Sequence, residues 1–519
     1  MAVGFNGVKR IAPKLNINVG ATIDIPTGPV ITGARGESIV NGGLGSANGI
    51  VAPGNTFKSM ITSYIMCSAA NRISASYETF MHTYDTEVNI QLDRLNDFAR
   101  RFEYLNPDPV YSEEGYWSVT DKSQMPGEEW AISMFDYMTE RAKNAAKNEV
   151  EWTAFKDPYT KKPLRATVPD FITLDSLTEF EGSSTIDMLE KQKADDNSTN
   201  MVFLKQGLAK TKLLKRLPYT SNRSNTRFLI TAHIGKEIDM ATGPAAYNKP
   251  SKELQYLKGG DKIKGVSSSF FFLTSTAWQA HPARVLKNQT TKMAEYPRGG
   301  IETEATDLNI VRITQLRSKS GMSGYTLNLV ISQTEGILPS LTEFENIKSN
   351  NRFGIGGTAQ WMELDLMPGV KVSRTTIRHR LDNDAKFARA VQITSDILQH
   401  KTFHPHLVED GLWCDAKTLY KDLTEMGYDW DELLTTRNWY TIDQYSTALP
   451  PFLSAVDLFK MRKGMYTPYW KDNNVYYKAK VAFEENAKKS TAVVENPKTI
   501  VATPRVATTP KKTTAVKAA

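Results

Sequence analysis

A chain of 519 residues that is 40% hydrophobic, 23% charged and 10% aromatic has the balance of a folded globular protein, which excludes collagen-like and wholly disordered chains. Its two cysteines, Cys67 and Cys414, lie 347 positions apart (414 − 67), which excludes a disulfide scaffold and suits a reducing compartment. The net charge of +7 is uneven: residues 487–519 hold seven basic groups against Glu495 alone, so this tail is +6 and the rest of the chain only +1.

The tail is built from Ala, Thr, Val, Pro and Lys without aromatics. Such a composition cannot bury enough apolar surface to offset ordering entropy, so disorder is expected there, either as a solubilising terminus or as a tether to a phosphate backbone. Length alone anticipates roughly three folding units at about 150 residues each. No run approaches the ~18 apolar residues of a membrane span, and the first residues lack the apolar core of a secretory signal, so a cytoplasmic protein is expected. No internal repeat is visible.

In chain order, a Gly-rich approach (Gly42 to Gly49) leads into the apolar run Ile50, Val51, Ala52 and then a Pro-Gly-Asn turn. From Phe57 to Asn71, Met60, Ile61, Tyr64, Ile65 and Ala69 recur at helical spacing. Glu78 to Tyr84 reads as a strand that ends at Asp85-Thr86-Glu87, and Val88 to Phe102 as an amphipathic helix. Pro107 to Gly127 is turn-rich and reads as an insertion before a helix at Glu128 to Lys147. Asp170 to Asp175 has the pattern of a buried strand, Met201 to Leu217 of a basic amphipathic helix, and Arg227 to His233 of another buried strand. A polar stretch, Ile234 to Lys264, reads as a long loop; Ser269 to Ser275, Leu308 to Leu316 and Tyr325 to Ser332 read as consecutive strands. Alternation of strands and helices predicts an α/β fold with a mainly parallel sheet covered on both faces, and the last third a mainly helical region.

The sharpest local signal is Ala52-Pro53-Gly54-Asn55-Thr56-Phe57-Lys58-Ser59. A phosphate-binding loop needs a strand, inward-turned N–H groups, a Lys for the outer phosphates and a hydroxyl for Mg²⁺ at a helix N-terminus. Lys58 and Ser59 supply the last two, while Ala52 and Phe57 stand where that motif carries Gly. Read by itself, the octapeptide also fits an ordinary strand-to-helix turn with a capping Ser. Asp175, at a strand end, fits the second acidic element that holds Mg²⁺ through water. Glu87, at the end of the strand after the loop's helix, is placed to polarise a water toward a γ-phosphate, and His233, ending another strand, to touch that phosphate. Singly, Asp175 and Glu87 also suit helix caps, and His233 a core histidine.

Together these residues are similar to the RecA-type recombinases, and most of all to the bacteriophage UvsX branch, whose phosphate loop also reads Phe-Lys-Ser. Tyr84-Asp85-Thr86-Glu87 resembles that branch's strand end, Asp175-Ser176 its aspartate-serine element, and Ala232-His233 its asparagine-histidine strand end. Gly243-Pro244 and Gly259-Gly260 resemble its Gly-rich DNA loop. Arg317-Ser318-Lys319 and then Thr334 to Ile337 are similar to the basic pair and glycine-isoleucine turn that close its core. The likeness covers about residues 37–340. It implies a RecA-like P-loop ATPase core, with Gly54, Asn55, Thr56, Phe57, Lys58 and Ser59 on the triphosphate of ATP and Ser59 with Asp175 on Mg²⁺. It further implies Glu87 as catalytic base, His233 as γ-phosphate sensor, and Arg317 and Lys319 as groups reaching a neighbouring subunit's ATP.

DNA contact is expected from two loops, Glu179 to Asn200 and Ile234 to Lys264. The second offers Lys236, Lys249, Lys252, Lys258, Lys262 and Lys264 with Tyr247 and Tyr256 between them, a mixture that attracts phosphates and stacks on bases without regard to sequence; it also fits a solvated loop. Lys205, Lys210, Lys212, Lys215 and Arg216 add a basic stripe on the neighbouring helix. The cluster His400, His404, His406 and Cys414 suggests zinc without matching a standard finger. The expected organisation is an N-terminal arm (1–36) for subunit contact, the ATPase core (37–340, with an insertion at about 106–165), a C-terminal accessory domain (341–486) and the basic tail. The expected function is a DNA-dependent ATPase that forms filaments on single-stranded DNA and exchanges strands with a duplex, aided by a mediator or single-strand-binding protein. A hexameric replicative helicase and a non-catalytic DNA-binding module of the same fold stand as alternatives.

Overall fold

The computed structural model describes residues 13–473 apart from 55, 107, 112–115, 148–149, 182–198, 237–253, 265–269, 271–272 and 359. One compact unit runs to Pro468 and a second begins at Tyr469. The first therefore takes in the expected core together with most of the region expected as an accessory domain. No helix among the described residues is long and apolar enough to cross a membrane.

Eleven strands among the described residues form one sheet. Its principal strands are β1 (Ala47–Ala52), β2 (Met81–Asp85), β3 (Trp117–Asp121), β4 (Asp170–Asp175), β5 (Thr226–Lys236), β6 (Asp261–Ile263), β7 (Thr276–Ala280), β8 (Leu308–Ser318), β9 (Thr326–Ser332) and β10 (Gly336–Ile337). Across the sheet they run β10-β9-β8-β7-β1-β5-β4-β2-β3, and β6 pairs with the end of β5. From β7 through β1, β5, β4 and β2 to β3 every pairing is parallel, while β8, β9 and β10 continue the sheet antiparallel.

Helices α1 (Lys58–Ser74), α2 (Leu92–Ala99), α3 (Gly127–Ala146) and α4 (Thr199–Ser224) explain why β1, β4 and β7 are buried at every position. Ile172 and Leu174 of β4 share a core with Trp130, Met134 and Met138 of α3 and with Leu213, Leu214 and Leu217 of α4. Thr173, pointing the other way, donates to the Met66 sulfur of α1 at 3.0 Å. Strands covered on both faces read as continuous apolar runs, which is why these were visible in the sequence.

Two expectations are corrected. The strand placed at Ser269 to Ser275 lies instead at β7, Thr276–Ala280. Phe270 is fully buried and its ring lies 2.6 Å from where a Cβ on Gly49 would sit. The aromatic thus packs against the face of β1, which only glycine permits at such an approach, and the strand starts after it. The turn-rich stretch from Pro107 to Gly127 contains β3, the parallel edge strand beside β2; its five residues mix Trp117 with polar groups, so no apolar run announced it.

Beyond the sheet, α5 (Pro339–Ser349) and α6 (Ala385–Phe403) lead the helical part, and caps mark its starts: Asp384 accepts from Phe387 N–H, and Ser454 with Asp457 forms a capping box. Residues 13–46 are folded onto their own unit. Ser38 N–H donates to Asp457 at 2.7 Å, the Tyr445 hydroxyl to Glu37 at 2.5 Å, and Tyr440 N–H to Asn18 at 3.0 Å. His400 and His404 face each other at 2.8 Å, and His404 meets the Gly28 carbonyl at 3.1 Å. Among the described residues no group of three or more His, Cys, Asp or Glu is placed to hold a metal ion.

Burial pushes three carboxyls upward, Glu37 and Asp396 to about 7 and Asp457 to about 6. A carboxyl raised above its unfolded value of about 4 binds more protons folded than unfolded, so its stabilisation is complete below that value and is lost as pH climbs toward 7. Thermal midpoints are expected to decline between pH 5 and pH 7.5, and Asp396→Asn is expected to flatten part of that decline in differential scanning fluorimetry. An unaltered slope in the variant would remove Asp396 from the account.

Candidate functional site

The site is built by register. Parallel pairing sets Ala52 opposite His233 and Asp85 opposite Asp175, so β1, β2, β4 and β5 deliver their C-terminal residues to one edge, where α/β sheets bind ligands. There a cavity of about 510 Å³ is lined by Gly54, Lys58, Ser59, Glu87, Asp175 and His233, among others.

The loop after β1 closes on itself through the Thr56 hydroxyl, which donates to the Pro53 carbonyl at 2.8 Å. Phe57 then takes a left-handed backbone (φ 59) as the residue before α1. A bulky side chain at positive φ is uncommon and costly; glycine is the ordinary occupant, and this loop meets the same geometric demand with phenylalanine. Among the described residues no side chain caps α1, and N–H groups at a helix start suit an anion.

Lys58 lies almost wholly buried at the centre, with Nζ 3.5 Å from Asp175, 3.6 Å from Glu87 and 3.1 Å from His233 Nε2. His233 Nε2 is closer to Glu87 Oε1, at 2.7 Å. The shorter contact takes the ring proton: Nε2–H donates to Glu87, and the lysine beside the ring is held by the two carboxylates. The Ser59 hydroxyl donates to Asp175 Oδ2 at 2.7 Å, and Thr231 donates to the other carboxylate oxygen. Burial works to raise the Glu87 carboxyl, but the His233 hydrogen bond and the charge of Lys58 outweigh it and hold Glu87 below the usual carboxylate range. Glu87 is therefore held as an anion by its partners.

Supporting residues were not singled out by sequence reasoning. Asp85 accepts the backbone N–H groups of Glu87, Asn89 and Ile90, each at 2.8 Å, and so fixes the turn that presents Glu87. Thr178 accepts His233 N–H at 2.8 Å, and its carbonyl receives Lys210 Nζ at 2.6 Å. In the sequence Asp85 stood only as a member of the Tyr84 to Glu87 strand end, with no role of its own.

Of the residues expected around the phosphates, Gly54, Thr56, Phe57, Lys58 and Ser59 line the cavity, and Asn55 lies outside the described residues. Arg317 and Lys319 are not brought to it. Arg317 pairs with Ala277, which pairs with Gly49, and β8 runs antiparallel. The pair thus lies toward the opposite end of the sheet from Ala52, beside Lys14, whose charge adds to burial and Arg317 in lowering the Lys319 pKa.

Lys249, Lys252 and Tyr247 lie outside the described residues, as does most of the loop from Glu179 to Asn200. The stretch from Ile234 to Lys264 is not a loop throughout: β5 continues to Lys236, and β6 returns antiparallel against it. Ile234 and Ile263 are buried there while Lys236, Lys258, Lys262 and Lys264 are exposed, an alternation that a lysine-rich composition masks. Lys236 is paired with Asp261 at 2.6 Å. The basic stripe on α4 loses Lys210, which is buried on Thr178.

The Ser59 hydroxyl and the Asp175 carboxylate offer oxygen ligands suited to a hard divalent cation that keeps waters and shares phosphate oxygens. Lys58 against Glu87 and Asp175 leaves these three groups at −1, so a polyphosphate requires such a cation to enter. Mg²⁺ with a nucleoside triphosphate fits the residues present. The sequence matches no protein-family model and no curated protein.

Proposed function

We propose that this protein is a RecA-type, ATP-dependent DNA recombinase, which assembles on single-stranded DNA and exchanges its strand with a homologous duplex. The observation that carries the reading is the meeting of Lys58, Ser59, Glu87, Asp175 and His233, drawn from four strand ends, around one cavity. Mg²⁺, when bound through Ser59 and Asp175, supplies charge neutralisation of the phosphates. Lys58 leaves its two carboxylates and takes up phosphate oxygens. That move frees Glu87 to accept a proton from the attacking water, with His233 holding its carboxylate by the Nε2–H bond. Arg317 and Lys319, remote from their own cavity, serve a neighbouring protomer's nucleotide, and the exposed lysines of the β5–β6 ribbon lie along DNA.

Electron microscopy on single-stranded DNA with and without a slowly hydrolysed ATP analogue tests this. Long filaments that require nucleotide are expected. Closed rings would assign the chain to the helicases of this fold, and neither form would return it to a non-catalytic binding module.

Asp85→Ala is expected to reduce ATP turnover while nucleotide binding persists, since it loosens the Glu87 turn without touching Lys58. Three amides lose their acceptor, at about 1 kcal/mol or more each, so the melting temperature falls as well. Asp85→Asn, which keeps an acceptor, restores part of the turnover; equal turnover in the alanine variant and the parent protein would remove Asp85 as a positioning residue.

A further inference from the structure

Away from that cavity, α3 and α4 enclose a groove of about 370 Å³. Its apolar lining is Ala142 of α3 and the ring of Tyr219 on α4, with the fully buried Met138 beneath them, and Lys143, Arg216 and Arg223 line it as well. Tyr219 is 64% exposed. The rim is stiffened from within: the Arg223 guanidinium donates to the Tyr219 hydroxyl at 2.8 Å, and the Arg216 guanidinium lies 4.2 Å over the Phe135 ring. The α4 sequence carries six basic and no acidic residues. On α3 the acidic Glu140 next to the rim is engaged by Lys143 at 3.3 Å.

We propose that this groove is a docking site for an acidic peptide segment of a partner protein, which seats one apolar side chain on Ala142 and the Tyr219 ring and sets its carboxylates against Lys143, Arg216 and Arg223. A concave apolar floor under a cationic rim matches that mixture of groups. Phosphodiesters bring charge but no aliphatic anchor for the floor, and bases find no polar partner on Ala142. Charge also argues against residues 1–12 and 487–519 as the occupant. Residues 1–12 contain Lys9 and Arg10 and no acid, and residues 487–519 are +6, so the rim repels the ends of a second copy.

The test is fluorescence polarisation with the full-length protein and a labelled peptide of four aspartates followed by Leu-Phe, in the absence of nucleotide, so that it stands apart from the ATPase reading. Binding is expected, with affinity falling at least about tenfold for Arg223→Glu, for Lys143→Glu, and for Thr139→Trp, which fills the groove without changing charge. A peptide with Ser-Ser in place of Leu-Phe should bind as weakly as the Trp variant does the parent peptide. Three results would overturn the proposal: no binding, binding indifferent to Thr139→Trp, or full displacement by a short oligonucleotide whose own affinity falls with the same substitutions, which would make the groove a nucleic-acid contact. Peptide binding that strengthens when residues 182–198 are replaced by Gly-Ser would instead assign the groove to this chain's own acidic loop.

Discussion

Lys58→Ala is expected to abolish measurable ATP turnover and to weaken nucleotide binding by at least about a hundredfold, the scale of losing a preorganised cationic donor to a phosphate. The substitution also acts without ligand. Glu87 and Asp175 lie 3.6 Å and 3.5 Å from the ammonium; without it, the two carboxylates keep only their neutral partners, His233 on Glu87 and Ser59 with Thr231 on Asp175. Glu87 loses the charge that helps hold its carboxyl low, so its affinity for protons rises. Isothermal titration with Mg-ATP, followed by phosphate release, checks both parts. A variant that hydrolyses ATP at the parent rate would sink the site assignment.

Glu87→Gln separates binding from chemistry. The amide oxygen still accepts the His233 Nε2–H bond now given to Glu87 at 2.7 Å, so the geometry is conserved while the proton acceptor is lost. Turnover is expected to fall by about 10²–10⁴, the usual contribution of a positioned general base. Nucleotide affinity should hold or improve, because Lys58 has one fewer carboxylate to leave. On the proposed function, in which turnover loosens the assembly, DNA binding with ATP should persist and outlast that of the parent. Single-turnover kinetics beside equilibrium binding decides it: an unchanged rate removes Glu87 from the mechanism, and lost binding moves it from chemistry to structure.

Much of this site was legible because buried parallel strands announce themselves and their ends are where chemistry gathers. Ile50 to Ala52, Asp170 to Asp175 and Arg227 to His233 are short apolar runs that stop at a turn or a polar residue, and the structure sets those stops side by side. What stayed hidden depended on contacts distant in sequence. β3 carries too few apolar residues to be seen as a strand, and becomes one by pairing with Met81 to Asp85. Phe270 looked like part of a strand because aromatic residues favour sheets, yet the vacancy left by Gly49 takes its ring out of the sheet. Lys210 read as part of a solvated stripe, and a carbonyl on another segment draws it inward. The groove between α3 and α4 had no signature, since its two walls are over seventy residues apart.

The sheet register has a consequence for assembly. Ala52 and the cavity lie at one end of β1, while Arg317 is level with Gly49 and Lys319 lies farther toward the strand's other end. A plug and its socket set apart in this way cannot meet within one chain, and a two-fold pair that mates one plug with one socket leaves its symmetry broken at once. The proposed subunits therefore add in a single sense, like arrows laid tip to tail. On the proposed function, every growing assembly would have one terminus with a vacant socket and one with a bare plug, so its two ends would differ in chemistry before any DNA is bound.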